Sequence, residues 1–182
     1  MTFLKAAAAA VFAAGIVPAS PALSAGSGNH SHGHGGTASA TGTPGGTPTR
    51  TVAVTMYDNY YEPERIAVRH GETVKFVLTN AGSFLHEFSI ATPEMHVAHQ
   101  PHMAMMMEME ALLPDRINHA VIDASRGTGH DMSHDEPNSA LVEPGRTADL
   151  VWTFDAAATL EFACNIPGHY ESGMAGDIEI AR

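Results

Sequence analysis

The chain has 182 residues, one cysteine and a formal net charge of −11 with histidine counted as neutral. An acidic balance of this size excludes nucleic acid and anionic membrane surfaces as main partners, because both would repel the chain. A single cysteine also excludes an internal disulfide. The length accommodates one domain with extensions.

Residues 1–25 have the pattern of a secretory signal peptide. Lys5 supplies a positive start, residues 6–17 form an apolar run, and small residues follow. The pattern predicts export to the periplasm, with cleavage near residues 22–25. The apolar run is short and rich in alanine, so we expect no stable membrane insertion; a retained N-terminal anchor is the alternative.

Residues 26–50 consist mainly of Gly, Ser, Thr and Pro and lack the apolar side chains that a core requires. We therefore expect a disordered linker. His30, His32 and His34 alternate within it, and three imidazoles on a flexible segment can chelate a metal ion. A solvated polar tail with incidental histidines is the alternative.

Residues 51–182 are predicted to form one all-β domain, an antiparallel β-sandwich or barrel. Apolar side chains recur at every second position in about seven short runs, which suits a sandwich. The runs include Val52, Val54 and Met56; Val74, Phe76 and Leu78; Phe84, His86, Phe88 and Ile90; Leu150, Trp152 and Phe154; Leu160, Phe162 and Cys164; and Ile178 and Ile180. Since inward-facing side chains at strand ends can meet across a sandwich, His86 and Cys164 are expected to share one apolar end.

An insert, about residues 92–138, interrupts this rhythm. Thr92, Pro93 and Glu94 predict a helix start, with Thr as the N-cap, Pro in the first turn and an acid at the positive end of the helix dipole. Helix formers continue to Leu113, and Pro101 is predicted to break the helix or to start a second one. Residues 127–138 are expected to be a loop.

The insert is rich in side chains that can bind metals. They are Met95, His96, His99, His102, Met103, Met105, Met106, Met107, Met109, His130, Met132 and His134. His96, His99 and His102 are three residues apart along the chain, so successive histidines lie on the same helix face if the segment is helical. Thioethers are soft donors that favour Cu(I). A methionine stripe that packs in the core or forms a flexible apolar contact surface is the alternative.

The most specific signal is residues 164–174, with the sequence Cys-Asn-Ile-Pro-Gly-His-Tyr-Glu-Ser-Gly-Met. Cys164, His169 and Met174 follow one another at intervals of five, and a Pro-Gly pair tightens the loop so that its ends converge. A thiolate, two imidazoles and a weak axial thioether form the trigonal copper site used in electron transfer. His86 is the candidate for the second imidazole, with an ordinary core histidine as the alternative.

These residues resemble the cupredoxins over about residues 51–182, apart from the insert. The resemblance implies a Greek-key β-sandwich with one mononuclear copper that cycles between Cu(I) and Cu(II), and its ligands would be His86, Cys164, His169 and Met174. Many cupredoxins carry Asn directly after the first histidine, where it helps to tie the two ligand loops together. This chain has Glu87 there, which leaves open how the loops are joined.

The histidine-rich tail and the methionine-rich insert make the chain most similar to the periplasmic cupredoxins associated with copper tolerance. We therefore predict copper handling, with a redox-active core site and further copper ions on the tail and insert. The expected partners are copper ions and a periplasmic redox protein or a copper exporter; we expect a monomer and no enzymatic activity. A soluble electron carrier is the main alternative. A cuprous oxidase is less favoured, because one type of copper centre cannot easily supply the four electrons that O2 requires.

Overall fold

The computed structural model describes residues 38–181. The predicted signal peptide, residues 1–25, lies outside the described residues, as do His30, His32 and His34 of the predicted linker. Within the described part of the chain, no helix is long and apolar enough to cross a membrane.

The described residues form three helices, twelve strands and their connections. The helices are α1 (Ala38–Thr41), α2 (Pro93–Glu108) and α3 (His119–Ser125). The strands are β1 (Thr43–Pro44), β2 (Arg50–Met56), β3 (Tyr61–Glu62), β4 (Arg65–Arg69), β5 (Thr73–Asn80), β6 (His86–Ala91), β7 (Leu112–Leu113), β8 (Arg116–Ile117), β9 (Ser139–Val142), β10 (Thr147–Thr153), β11 (Leu160–Ala163) and β12 (Ala175–Ala181).

Ten of these strands form two five-stranded sheets. The orders are β1-β10-β5-β2-β3 and β4-β12-β11-β6-β9, while β7 pairs only with β8. The pairs β2–β5 and β4–β12 are parallel and the other pairs are antiparallel. The all-β sandwich is thus confirmed, but it was predicted as antiparallel and two of its strand pairs are parallel. The alternation of apolar residues shows which side chains of a strand face the core, but it carries no information on whether neighbouring strands run parallel or antiparallel.

The core follows the predicted alternation along β5 and β10. Val74, Phe76 and Leu78 of β5 are buried, as is Trp152 of β10. The rings of Phe88 on β6 and Phe162 on β11 stack with their centroids 5.1 Å apart. Each large apolar side chain buried in this way contributes about 1.5–3 kcal/mol to stability. The core thereby fixes β6 beside β11, the two strands from which the predicted ligands extend.

Strand β6 departs from a two-layer pattern because all six of its residues are buried. Glu87 and Ser89 would face solvent in a bare sandwich, yet they are covered by the insert, whose Asn138 also pairs with the Ile90 backbone. Phe84 was predicted on the core face, but it precedes β6 and is 46% exposed. The strand begins only at His86, so the turn before it does not follow the alternation.

Helix α2 begins as predicted, since the Thr92 hydroxyl accepts a hydrogen bond from the Met95 N–H over 3.3 Å. The predicted break at Pro101 is wrong, because α2 continues through it to Glu108. Pro101 is on the exposed side of the helix, where water can bind the Val97 carbonyl that the missing N–H leaves free.

The insert beyond α2 differs from the prediction in two ways. Leu113, the predicted end of the helical segment, belongs to the β7–β8 hairpin, and the short helix α3, which was not predicted, follows that hairpin. Residues 127–138 contain no helix or strand, which confirms the predicted loop.

Candidate metal centre

The segment that follows β11 is a compact loop closed by its own backbone. The Cys164 N–H donates to the Met174 carbonyl over 3.1 Å, and the Met174 N–H donates to the His169 carbonyl over 3.0 Å. Gly168 and Gly173 have φ angles of 87° and 95°, which residues with a Cβ atom rarely adopt. These constraints bring the backbones of Cys164, His169 and Met174 together without requiring a bound ion.

His86 is the first residue of β6 and is completely buried. Its Nε2 lies 3.3 Å from Oδ1 of Asp58, a carboxylate that can only accept a hydrogen bond. The proton is therefore on Nε2, and Nδ1 carries a lone pair. Among residues 38–181, no hydrogen-bond partner contacts the buried Nδ1. An ordinary core histidine would form hydrogen bonds at both nitrogens, so His86 has the arrangement of a metal ligand whose other ring nitrogen is oriented by a carboxylate.

Donor atoms of three residues converge at this end of the sandwich. One ligand atom each of His86, Cys164 and His169 lies within 4.8 Å of the others. The Cys164 Sγ is 3.3 Å from the His169 Nδ1, and the two imidazole rings are 5.1 Å apart between centroids. Met174 is completely buried on the same loop. A thiol sulfur with two imidazole nitrogens is a donor set that fits copper.

Burial controls the protonation of these donors. It raises the pKa of the Cys164 thiol to about 12, and the nearby Glu87 carboxylate adds to the increase. Burial also lowers the pKa of His86 and of His169, so both imidazoles are neutral at pH 7. The metal-free protein therefore holds one thiol and two neutral imidazoles, and a metal ion bound there must displace the thiol proton.

Glu87 joins the two ligand loops, which answers the question that the sequence left open about how the loops are connected. Its Oε2 accepts hydrogen bonds from the Asn165 backbone N–H over 3.0 Å and from the Asn165 side-chain amide over 2.8 Å. Its own N–H donates to the Cys164 Sγ over 3.4 Å. A completely buried Glu thus supplies the connection that the resemblance assigns to Asn. The signal for this role was a carboxylate directly after the predicted histidine ligand, in a strand whose other residues include Phe88 and Ile90.

Glu87 also anchors a second group of donors on the opposite side of its carboxylate. Its Oε1 lies 2.9 Å from the His134 Nε2 and 3.5 Å from the His99 Nε2. Burial alone would raise the pKa of Glu87, but hydrogen bonds and charge from His134 and His99 hold it well below its usual range. His99 and His134 were predicted as possible donors, whereas Glu87 was not.

The other predicted donors of the insert have different surroundings. Met103, Met106 and Met132 are completely or almost completely buried in the hydrophobic core, which favours the core-packing alternative for them, and Met105 and Met107 pack against that core. His96 is buried, and its Nδ1 lies 3.1 Å from the Asn165 Oδ1. His102 stacks on His99, with ring centroids 5.6 Å apart. Met95 is partly buried, and Met109 and His130 are exposed.

Comparison with known proteins agrees with the fold and the donor set. Residues 50–181 match the copper-binding proteins of the plastocyanin/azurin family. A protein of Pseudomonas aeruginosa named copper-resistant cuproprotein CopI is 45% identical over 139 residues, covering 72% of this chain and 76% of that protein. The protein of the same name from Rubrivivax gelatinosus is 36% identical over 132 residues, covering 72% of this chain and 66% of that protein.

Solved structures with the same fold include two auracyanins. Auracyanin B has a TM-score of 0.56 at 17% identity, covering 78% of this chain and 96% of that one. The reduced auracyanin of Roseiflexus castenholzii has a TM-score of 0.53 at 20% identity, covering 75% of this chain and 100% of that one. These two likenesses show the fold. Together with the family match and the CopI relatives, they lead to one conclusion: the chain belongs to the plastocyanin/azurin family of copper-binding proteins, the cupredoxins.

Proposed function

We propose that the chain is a periplasmic copper-tolerance protein with one redox-active copper site, whose ligands are His86, Cys164, His169 and Met174. The observation that carries this proposal is the convergence of the buried His86 and Cys164 with the partly buried His169, while the His86 Nδ1 has no hydrogen-bond partner among the described residues. A buried nitrogen without a hydrogen bond costs about 1–3 kcal/mol, and a metal ion at that point would remove the penalty.

In this proposal the protein contributes a rigid and dry donor set. Cys164 would release its proton to solvent when an ion binds, and the Glu87 N–H would donate to the resulting thiolate. Asp58 fixes the orientation of the His86 ring, and Met174 would supply a weak thioether donor. When bound, copper supplies one-electron redox chemistry. Because the backbone hydrogen bonds hold the ligand loop on their own, little rearrangement is needed between the two oxidation states.

The role in copper tolerance draws on two further observations. Relatives from two bacteria, 45% and 36% identical, carry the name copper-resistant cuproprotein. The chain also carries more histidine and methionine than one copper ion requires, on the tail and the insert, so additional ions can be captured there. The periplasmic location follows from the signal-peptide pattern of residues 1–25. A periplasmic redox protein or a copper exporter is the proposed partner.

A complementation experiment tests this function. A strain without the gene receives the wild-type chain, the Cys164→Ser variant or the His119→Gln variant, in which an exposed histidine is replaced as a control. We expect the wild type and His119→Gln to restore growth in copper and Cys164→Ser to fail. The oxidised holoprotein should show a thiolate-to-copper charge-transfer band that Cys164→Ser lacks.

Two results would contradict the proposal. One is a wild-type protein that stays colourless after it is loaded with copper and oxidised. The other is full copper tolerance with Cys164→Ser, since the core site would then be unnecessary. N-terminal sequencing of the exported protein tests the location, and a start near residues 22–25 is expected.

A soluble electron carrier is the second candidate, and one observation favours it. Phe84 is 46% exposed, and its ring lies 6.4 Å from the ring of His169. An exposed aromatic side chain beside a copper ligand suits brief contact with a redox partner. For a carrier, Phe84→Ala should slow electron exchange with the partner while copper tolerance falls in proportion. Tolerance that is unchanged despite slow exchange would favour copper handling.

A further inference from the structure

We propose that Glu87, His99 and His134 form a second metal site, which binds Cu(II), on the side of β6 that faces the insert. The inference deepens the proposed function and rests on it for the choice of copper; the geometry of the site is independent of it. One ligand atom from each of the three residues lies within 4.8 Å of the others.

The spacing of the donors suits one ion. Two donors about 2.1 Å from an ion, with an angle of about 90–110° between them, lie about 3.0–3.4 Å apart. The two distances from the Glu87 Oε1 are 2.9 Å to the His134 Nε2 and 3.5 Å to the His99 Nε2. The donor atoms of His99 and His134 lie within 4.8 Å of each other, so small movements of these side chains would place all three donors around one cation.

The donor set selects a divalent transition metal. Two imidazoles with one carboxylate suit Cu(II) and Zn(II), whereas no thioether is needed and Cu(I) is not favoured. The second ring nitrogen of His134 lies 3.4 Å from the Glu136 Oε2. That arrangement resembles the carboxylate–histidine–metal pattern in which an outer carboxylate orients the ligating ring. Ser139 donates to the Glu87 Oε1 over 2.6 Å and holds the carboxylate in place.

A buried ion pair without a metal is the competing explanation, and it accounts for only part of the geometry. It explains the contact of 2.9 Å between Glu87 and His134. It accounts less well for His99, whose Nε2 is 3.5 Å from the same oxygen, a longer contact than the usual hydrogen bond. Two protonated imidazoles at one carboxylate would also repel each other. A metal ion would instead bind one nitrogen of each ring and the carboxylate at the same time.

The site has an entrance and a connection to the core. The His99 side chain is 18% exposed, whereas those of Glu87 and His134 are 0% and 4% exposed, so an ion would arrive past His99 on α2. Glu87 contacts the core site through its N–H, which donates to the Cys164 Sγ. A cation bound to the Glu87 carboxylate adds positive charge close to that sulfur, and this favours Cu(I) in the core.

The experiment uses the full exported chain with the three tail histidines replaced by alanine in every sample. Each protein first receives one equivalent of Cu(II), and the charge-transfer band confirms that the core is filled. Further Cu(II), and Zn(II) as a redox-silent probe, are then titrated in. The samples are the parent chain, His99→Gln, His134→Gln and the control His119→Gln, and the readouts are calorimetry, EPR and the reduction potential of the core copper.

We expect the parent chain and His119→Gln to bind one further ion, with an EPR signal that lacks thiolate character when the ion is Cu(II). His99→Gln should bind it at least about tenfold more weakly, because even outer-shell partners of metal ligands affect affinity by about 10–100-fold. The second ion should raise the core potential in the parent chain and leave it unchanged in His99→Gln. His99 lies on the helix surface, so this variant remains informative if His134→Gln does not fold.

The inference is overturned if the parent chain binds no further ion once its core is full, which is the result for a metal-free ion pair. It is also overturned if His99→Gln binds the second ion as tightly as the parent chain. Both results leave the proposed function intact as long as the core band appears. A core that never gives that band would instead contradict the proposed function itself.

Discussion

Replacement of Glu87 by Gln tests the structural part of the site in the metal-free protein. Four donors face the carboxylate: two from Asn165, one from Ser139 and one from His134. Gln offers one acceptor oxygen and turns an amide N–H2 toward groups that also donate. Bonds to a charged acceptor contribute about 1.5–3 kcal/mol and neutral ones about 0.5–1.5 kcal/mol, and breaking a buried pair costs about 3–5 kcal/mol. We therefore expect Glu87→Gln to lower the free energy of unfolding by about 4 kcal/mol.

Urea denaturation of the chelator-treated protein measures this loss. For a domain of this size the melting temperature should fall by about 8–16 °C. Glu179→Gln is the matched control, because Glu179 is exposed and its ion pair with Arg65 spans 3.0 Å at the surface, where such pairs contribute about 0–1 kcal/mol. If the two variants differ by less than about 1 kcal/mol, Glu87 does not hold the ligand loops together.

Three other substitutions or conditions give separate tests. Met106→Ala removes a completely buried side chain and should lower the free energy of unfolding by about 2–5 kcal/mol. Met109 is 53% exposed, so Met109→Ala should change it by less than about 0.5 kcal/mol. Equal effects of the two variants in urea denaturation would contradict core packing of Met106. Pro101→Ala restores a helix N–H on an exposed face and should raise the free energy of unfolding by about 1–3 kcal/mol, so a variant no more stable than the wild type would refute our account of α2. The pKa of Cys164 is raised to about 12 while the pKa values of His86 and His169 are lowered, so an ion in the core displaces one proton, from the thiol, near neutral pH. The affinity for Co(II), measured through its thiolate band in competition with a chelator, should therefore rise about tenfold per pH unit between about pH 7 and 9. An affinity independent of pH would contradict a protonated thiol.

The alternation of apolar residues was sufficient to predict the sandwich and to predict that the side chains of His86 and Cys164 lie close together. Strands β5 and β10 each have one face on the core, so their apolar residues recur at every second position and show which side is inward. The same argument placed Cys164 at the inner end of β11. The interval of five residues to His169 and again to Met174 then needed only a tight loop, which the two left-handed glycines provide.

The features that sequence reasoning missed depend on contacts between distant segments. Strand β6 is buried on both faces because the insert covers it, and alternation within six residues cannot report a second layer. Glu87 was interpreted only as a departure from Asn, since its partners His99 and His134 are 12 and 47 residues further along the chain. Pro101 was predicted to break α2 because the exposure of that side of the helix was unknown. Strand direction was likewise not encoded in the alternation.

The cover that the insert places over β6 has a practical consequence for protein engineering. A chain trimmed to the dimensions of a minimal cupredoxin would lose His99 and His134 and would leave the Glu87 carboxylate beside the Cys164 sulfur with hydrogen bonds only from Asn165 and Ser139. Excision of residues 92–138 would thus disturb the loop geometry at the same time as it removes the extra donors. The phenotype of such a truncation would have two causes, which single-residue replacements can separate. A shortened scaffold should also carry Glu87→Asn.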